Sequence, residues 1–445
     1  MGWLVSKCCC FVSVDDAKSF FGSLQVGVAT IGGVEASVHA VRQVTLELGM
    51  DPRKIMLKVD FKNAFNMISR EAILQGIFEH FPGLYRWAEF CYAQPGLLFF
   101  GGALLMSELG VQQGDPLGPL LFSVVLHSLV KSIEEQVPGL DVHVWYLDDG
   151  TIIGDIDLVV KALGVIEEVG PRLGAHLNHG KSEIWWPSRA DNVEVFPSQI
   201  IRVPNSGVEL LGSPIGSQEF MRDFVEQRVK KISKVDLQLE EMDDAQIELA
   251  LLRGCLGFGK VVHLLRTCPP PDILEALDGF DDRLRTRIAG ILRTPFLEAD
   301  AWKQASLPIR LGGLGITHTV PLAGPTFIGS CALTHDLVAA ILRRDPDQYS
   351  PPHVSGIAAS HSALTGSLIC YDDLRRESLR FKRGLWTSAM SWSLSRSSLQ
   401  VAFVTERGLE VSLNLMLAIG FMRFRLRLWT RGCNRAHSGS CCGVT

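Results

Sequence analysis

The chain has no excess of basic residues: 43 Lys and Arg stand against 48 Asp and Glu, a formal net charge of −5. This excludes binding a polyanion through overall charge, although a local basic stripe would suffice for phosphate contacts. No apolar run is long enough to cross a bilayer. The longest, LGPLLFSVVL (117–126) and LMLAIGFM (415–422), fall well short of the roughly 20 residues that a spanning helix needs. A C-x2-C pair is also missing, and the 11 cysteines are odd in number and scattered. That pattern excludes a secreted disulfide framework and favours a reducing, intracellular setting, nuclear or cytoplasmic. Cys433, Cys441 and Cys442, with His437 between them, therefore do not read as a zinc knuckle. Repeats and low-complexity tracts are absent too. What is present, 47% hydrophobic and 20% charged residues over 445 positions, is a globular composition with room for two or three domains.

The N-terminus, MGWLVSKCCC, has the form of a myristoylation site at Gly2 with acylatable Cys8, Cys9 and Cys10. The six-residue pattern recurs by chance and Trp3 is bulky for an acyltransferase, so no lipid anchor is expected.

KIMLKVDF (54–61) reads as a buried strand, followed by a helix over about 63–80. GLLFFGGALLMSE (96–108) reads as a hairpin turning at Gly101-Gly102. GDPLGPLLFSVVLHSLVKSIEEQ opens on an Asp-Pro start signal and continues as a helix to about Gln136. A strand pair around 141–154, a helix over roughly 158–173, a strand at SEIWW (182–186) and a short hairpin at VELLGSPIG (208–216) complete this part. The order predicts an α+β fold in which helices cover one face of an antiparallel sheet. From Gln218 the pattern turns helical, with Phe224, Val225, Val229 and Ile232 on one face and Arg228, Lys230, Lys231 and Lys234 on the other. CPPPD (268–272) interrupts the helices, and SLPIRLGGLGI (306–316) is a Gly-rich loop. In the tail, FMRFRLRLWTR (421–431) alternates arginines with apolar residues, as a half-buried edge strand would.

Within DVHVWYLDDGTIIG (141–154), Asp148 and Asp149 sit side by side between apolar strands, where two carboxylates repel each other and lose solvation. A divalent cation in the turn reverses that cost, since hard ions such as Mg²⁺ take carboxylate oxygens. Asp60, at the end of the first strand, is placed to supply a third carboxylate. Three such aspartates suit a pair of metals about 4 Å apart and in-line displacement at phosphorus. Taken singly, an Asp pair in a hairpin reads as a turn, and an Asp ending a strand reads as a helix cap.

The set taken together resembles the reverse transcriptase domain of non-long-terminal-repeat retrotransposons. VDFKNAFNMISR (59–70) is similar to its first catalytic motif, GVQQGDPLGPLLFSVVL (110–126) to its template-and-nucleotide motif, and YLDDG (146–150) to its two-aspartate motif. LGAHLNHGKSE (173–183) and LLGSPIG (210–216) match the next two in order, and SLPIRLGGLGI resembles a segment farther downstream. The resemblance is close over 25–216 and loose to 316.

It implies a right-hand polymerase palm with partial fingers and a helical thumb. Residues 1–50 would be residual fingers, 51–216 the palm with an inserted fingers segment and primer-grip hairpin, and 217–320 the thumb, with 321–445 of undetermined role. The activity implied is RNA-directed DNA polymerase. Two Mg²⁺ or Mn²⁺ ions would be held by Asp60, Asp148, Asp149 and the Phe61 carbonyl, and the partners would be an RNA template, a DNA primer and dNTPs. Phe65 takes the steric-gate position, where an aromatic ring offers a 2′-hydroxyl no hydrogen bond. Gln113 and Gly114 lie against nucleotide and template, with Gly114 allowing close backbone approach. Lys181 is placed to protonate the leaving pyrophosphate, and Leu211 and Gly212 grip the primer. Arg228, Lys230, Lys231 and Lys234 become a track for the duplex, and the arginine-aromatic tail suits single strands. HLNHGKS is not a phosphate-binding Walker loop, since five residues rather than four separate Gly174 from Gly180.

The sequence departs from the family ahead of Asp60. Only LQVGVATIGGVEASVHAVRQ (24–43) resembles the fingers, and the earlier basic strands are absent, leaving Arg42, Lys58 and Lys62 as partial substitutes for triphosphate contacts. Endonuclease and ribonuclease H signatures are not visible. The chain thus reads as an N-terminally truncated member of the family. The alternative is a catalytically inactive remnant acting at most as a nucleic-acid-binding protein.

Overall fold

The computed structural model describes residues 2–188, 193–241, 244–365 and 368–382. The cysteine cluster at 433–442 and the arginine-aromatic tail at 421–431 lie outside them. Helices α1 (Gly2–Val12), α2 (Val14–Phe21) and α3 (Gly33–Leu48) lead into strand β1 (Lys54–Val59). Next come α4 (Ala64–Met67), α5 (Arg70–His80), α6 (Pro82–Tyr92), the hairpin β2 (Gly96–Phe100) and β3 (Ala103–Ser107), and the long α7 (Gly118–Gln136). A second hairpin, β4 (Val142–Tyr146) and β5 (Asp149–Asp155), precedes α8 (Ile156–Val169), β6 (Glu183–Trp185) and β7 (Ile201–Arg202). A third joins β8 (Gly207–Leu210) to β9 (Ser213–Gly216).

Five strands form the central sheet in the order β4-β5-β1-β6-β7. All its pairings are antiparallel except β6 with β7, which run parallel, so the sheet is mixed rather than wholly antiparallel. As expected for α+β, helices pack on one face: Leu57, Val59, Ile152 and Ile184 share a core with α5, α7 and α8. The opposite face is covered as well. Met56, Val142, Val144 and Ile153 pack with Val38 and Val41 of α3 and with β8 and β9. Val338 and Ala339, on a helix far downstream at Val320–Ile341, close the same layer. This is why Ile55, Met56 and Leu57 are buried in succession, where a half-solvated strand would alternate. Segment 24–26 adds a short parallel contact beside β4: the Val26 N–H donates to the Trp145 carbonyl at 2.8 Å and the Trp145 N–H to the Leu24 carbonyl at 2.8 Å.

The helix expected over 63–80 is two helices. Ile68 is extended and Ser69 caps α5, its hydroxyl accepting from the Ala72 N–H at 3.2 Å. The break frees backbone for other segments: the Ile68 carbonyl accepts from the Gly110 N–H at 2.9 Å, and the Ser69 N–H donates to the Leu173 carbonyl at 3.0 Å.

Beyond the third hairpin the described elements are helical: α9 (Gln218–Glu240), α10 (Ala245–Leu251), α11 (Val262–Thr267), α12 (Leu274–Ile291), α13 (Ala299–Ala305), α14 (Val320–Ile341), α15 (Val354–Thr365) and α16 (Tyr371–Lys382). Met221, Val225 and Ile232 of α9 share a core with Leu277, Phe280 and Leu284 of α12. No described helix is long and apolar enough to cross a membrane.

Trp145 sits on the outer strand β4, fully buried and directly opposite Gly150 on β5. A Cβ at position 150 would come within 2.5 Å of the indole ring, so only glycine fits beneath it. The ring also stacks on Phe61 with centroids 5.8 Å apart. Trp145→Ala is expected to cost about 3–5 kcal/mol, as large-to-small core changes of this size do. A fall in the urea-unfolding midpoint at unchanged slope checks this.

Candidate active site

The β1–β5 ladder brings the two aspartate-bearing segments together. Its register pairs Val59 with Gly150, and one step further sets Asp60 opposite Asp149. Tyr146 pairs with Asp149, leaving Leu147 and Asp148 as a two-residue turn at the sheet edge. Leu147 has φ +57, a conformation this kind of turn usually gives to glycine, and it costs roughly 1–3 kcal/mol in a branched residue.

Asp60 is anchored by its backbone. Its N–H donates to Ser182 Oγ at 3.2 Å, and its carbonyl accepts from the Asn178 N–H at 2.8 Å. Among the described residues its Oδ1 is buried with no hydrogen-bond partner, which is costly for a carboxylate oxygen and suits a metal ligand. Burial pushes the Asp148 carboxyl above its ordinary range, and the Asp60 charge adds to this while its own backbone N–H opposes it. Asp149 keeps a solvent-exposed edge yet is pushed up to about 6, first by desolvation in the cleft, then by Asp148 and Asp60, with Lys58 pulling it down. No three His, Cys, Asp or Glu side chains among the described residues form a ready cage for one ion. Mg²⁺, however, is ordinarily held by one or two carboxylates together with substrate phosphates. An orphaned oxygen and two carboxyls raised by burial and by neighbouring carboxylate charge fit such an ion.

The other expected residues lie on α4, on the loops before α7 and β6, at the β8–β9 turn and on α9. Phe65 lies on α4, half-buried, stacked on Phe122 with centroids 4.4 Å apart. The Val111 N–H donates to the Phe65 carbonyl at 2.8 Å, tying the loop that carries Gln113 and Gly114 to the first motif. Gln113 and Gly114 are exposed, and Gly114 has φ +88. Lys181 is exposed in the turn after Asn178, whose carbonyl accepts its N–H at 3.0 Å. Leu211 (φ +47) and Gly212 (φ +81) form the turn between β8 and β9. His263 of α11 lies behind that turn, its Nε2 3.0 Å from the Leu211 carbonyl and 3.1 Å from Ser213 Oγ. Arg228, Lys230, Lys231 and Lys234 are exposed on the solvent side of α9, and Lys230 pairs with Glu226 at 3.3 Å.

One expectation is corrected. Arg42 is not available to a triphosphate: it is buried on α3, where Nη2 donates to the carbonyls of Pro214 at 2.9 Å and Thr267 at 3.0 Å. It is a strut between α3, β9 and α11. Lys58 is similarly engaged, its Nζ 2.6 Å from Glu183 and 2.7 Å from the Glu209 carbonyl, whereas Lys62 is exposed. Sequence reading missed Tyr92, which is buried and donates to Asp115 at 2.6 Å while accepting from the Gln112 N–H at 3.2 Å. Asp115 in turn accepts from the Leu117 N–H at 3.0 Å, so one tyrosine fixes the loop and the start of α7. Nothing in AEFCYAQP marks Tyr92 as other than a core aromatic.

Residues 6–215 match the family model described as reverse transcriptase (RNA-dependent DNA polymerase). A curated relative, the retrotransposable element SLACS 132 kDa protein of Trypanosoma brucei gambiense, is 24% identical over 314 residues, covering 69% of this chain and 25% of that protein. The chain thus spans about a quarter of that relative's length. Among solved structures, Candida albicans telomerase in complex with a TWJ fragment of telomeric RNA matches at TM-score 0.40 and 11% identity, over 83% of this chain and 55% of that one. Apo telomerase from Candida tropicalis matches at TM-score 0.38 and 14% identity, over 76% and 59%.

The raised Asp149 pKa fixes the sign of a pH effect. Without metal the folded chain retains a proton that the unfolded chain releases, so stability falls as pH rises from about 4 to about 6. Asp149→Asn is expected to flatten that fall. Because protons compete for the same oxygens, Mn²⁺ is expected to raise the thermal midpoint more at pH 7.5 than at pH 5. Thermal melts across this pH range check both.

Proposed function

We propose that this chain, whose residues 6–215 match the reverse transcriptase model, is an RNA-directed DNA polymerase of the non-long-terminal-repeat retrotransposon type. It would extend the 3′-hydroxyl of a DNA primer with dNTPs on an RNA template. The observation that carries the reading is Asp60 facing Asp149 across β1 and β5, with Asp148 in the adjoining turn and Asp60 Oδ1 buried without a partner. Asp60, Asp148, Asp149 and the Phe61 carbonyl would hold two Mg²⁺ or Mn²⁺ ions. When bound, such ions acidify the attacking hydroxyl and neutralise charge on the departing pyrophosphate.

The remaining roles belong to the chain's own groups. Phe65, braced by Phe122, sets an apolar face beneath the sugar and leaves a 2′-hydroxyl without space or a hydrogen-bond partner. Gln113 and Gly114 lie against the nascent base pair on a loop fixed by Tyr92 and Asp115. Lys181, exposed and next in sequence to the Ser182 that anchors the Asp60 backbone, donates a proton to the pyrophosphate. Leu211 and Gly212 hold the primer end, and Arg228, Lys230, Lys231 and Lys234 follow the duplex phosphates along α9. In this reading residues 1–50 are residual fingers, 51–216 the palm and 217–320 the thumb.

Primer extension on an RNA template tests the proposal. Asp148→Ala is expected to remove several kcal/mol of transition-state stabilisation, roughly a thousandfold in rate. Phe65→Ala is expected to raise ribonucleotide relative to deoxynucleotide incorporation by about tenfold to a hundredfold. RNA binding with no extension by the wild-type chain would instead identify a silent remnant.

A further inference from the structure

Gln25 has no part in the scheme above, yet it holds the turn on which that scheme depends. It is fully buried, and its side-chain amide grips both backbone polar groups of Leu147. Oε1 accepts from the Leu147 N–H at 2.8 Å, and Nε2 donates to the Leu147 carbonyl at 2.9 Å. Oε1 also accepts from the Gly27 N–H at 3.0 Å, which fixes the orientation of the amide. Gly27 closes in from the same side: a Cβ there would stand 2.5 Å from the Leu147 nitrogen and 2.8 Å from its Cγ. The whole segment is bonded to β4 through Val26 and Leu24.

Turn backbone at the tip of a two-residue hairpin normally bonds to water. Here a buried side chain takes the place of a neighbouring strand, at the one residue of the turn with positive φ. The next residue is Asp148, which Asp60 and Asp149 repel. A turn under that outward load and in a disfavoured backbone conformation needs a restraint, and Gln25 and Gly27 together form a mould for it. We propose that Gln25 is a positioning residue that holds the Leu147–Asp148 turn against carboxylate repulsion and so sets the affinity of the site for divalent cations. This rests on the metal-binding role proposed for Asp148.

The test uses the full chain without nucleic acid. Mn²⁺ binding is read by electron paramagnetic resonance, and hydrogen exchange is followed in metal-free peptides spanning 142–150. Gln25→Met keeps the volume and removes both hydrogen bonds. It is expected to speed exchange at the Leu147 amide and to weaken Mn²⁺ binding about tenfold or more, the usual cost of losing a group that orients a metal ligand. Adding Leu147→Gly to Gln25→Met removes the conformational penalty and should recover at least part of that affinity, which would not happen if the loss came from general destabilisation. Should Gln25→Met fail to fold, Gly27→Ala presses on the turn from the same side and is expected to weaken Mn²⁺ binding to a similar degree. Wild-type Mn²⁺ affinity in the foldable variant, or a double variant no better than Gln25→Met, overturns the proposal. Asp148→Ala separates the two levels. If it binds Mn²⁺ like wild type, the metal site itself is misassigned; if it loses binding while Gln25→Met does not, only the role of Gln25 fails.

Discussion

Mutual repulsion among three carboxylates is the constraint around which the rest is arranged. Asp60, Asp148 and Asp149 would drift apart in a flexible chain, and desolvation adds to the cost of keeping them together. The sheet holds them by making the strands that carry them central and covering them twice. Ile55, Met56 and Leu57 cannot slip by one residue without moving apolar groups out of one core and into the other. Register is therefore pinned by packing on both faces. The charged edge draws on that stability, as strained functional sites generally do.

The same economy recurs at the third hairpin. Leu147 and Leu211 each occupy a left-handed conformation at the tip of a two-residue turn, and each is held from behind by a side chain distant in sequence. For Leu147 it is Gln25; for Leu211 it is His263, reaching from the helical part of the chain. Arg42 bonds to both β9 and α11 and ties the N-terminal helix α3 into the same junction. Helices beyond Gln218 are thus joined to the third hairpin by buried polar contacts as well as by chain continuity.

Much of this was legible beforehand, for identifiable reasons. Asp148 and Asp149 stood out because adjacent carboxylates between apolar strands contradict local preference, and β1, β4, β5, α7 and the three hairpins announced themselves through periodicity and turn residues. The helix break at Ile68 was not legible, because its cause lies in Gly110 and Leu173, far along the chain. The second covering layer was hidden for the same reason: α14 reaches the sheet from nearly two hundred positions downstream of β4. Gln25, Tyr92 and Arg42 could not be ranked from sequence at all. A buried glutamine, tyrosine or arginine looks like its exposed counterpart until its partners are known, and Arg42 was accordingly assigned to phosphate rather than to backbone carbonyls.

The glycine that follows the aspartate pair owes its identity to an indole. With 2.5 Å between a hypothetical methyl at 150 and the ring of Trp145, the two positions share one fixed allotment of volume across the β4–β5 ladder. Shrinking the aromatic is what would make room for a larger neighbour, so drift at either site is conditional on the other. The last letter of YLDDG is thereby dictated by packing, although the two letters before it answer to charge.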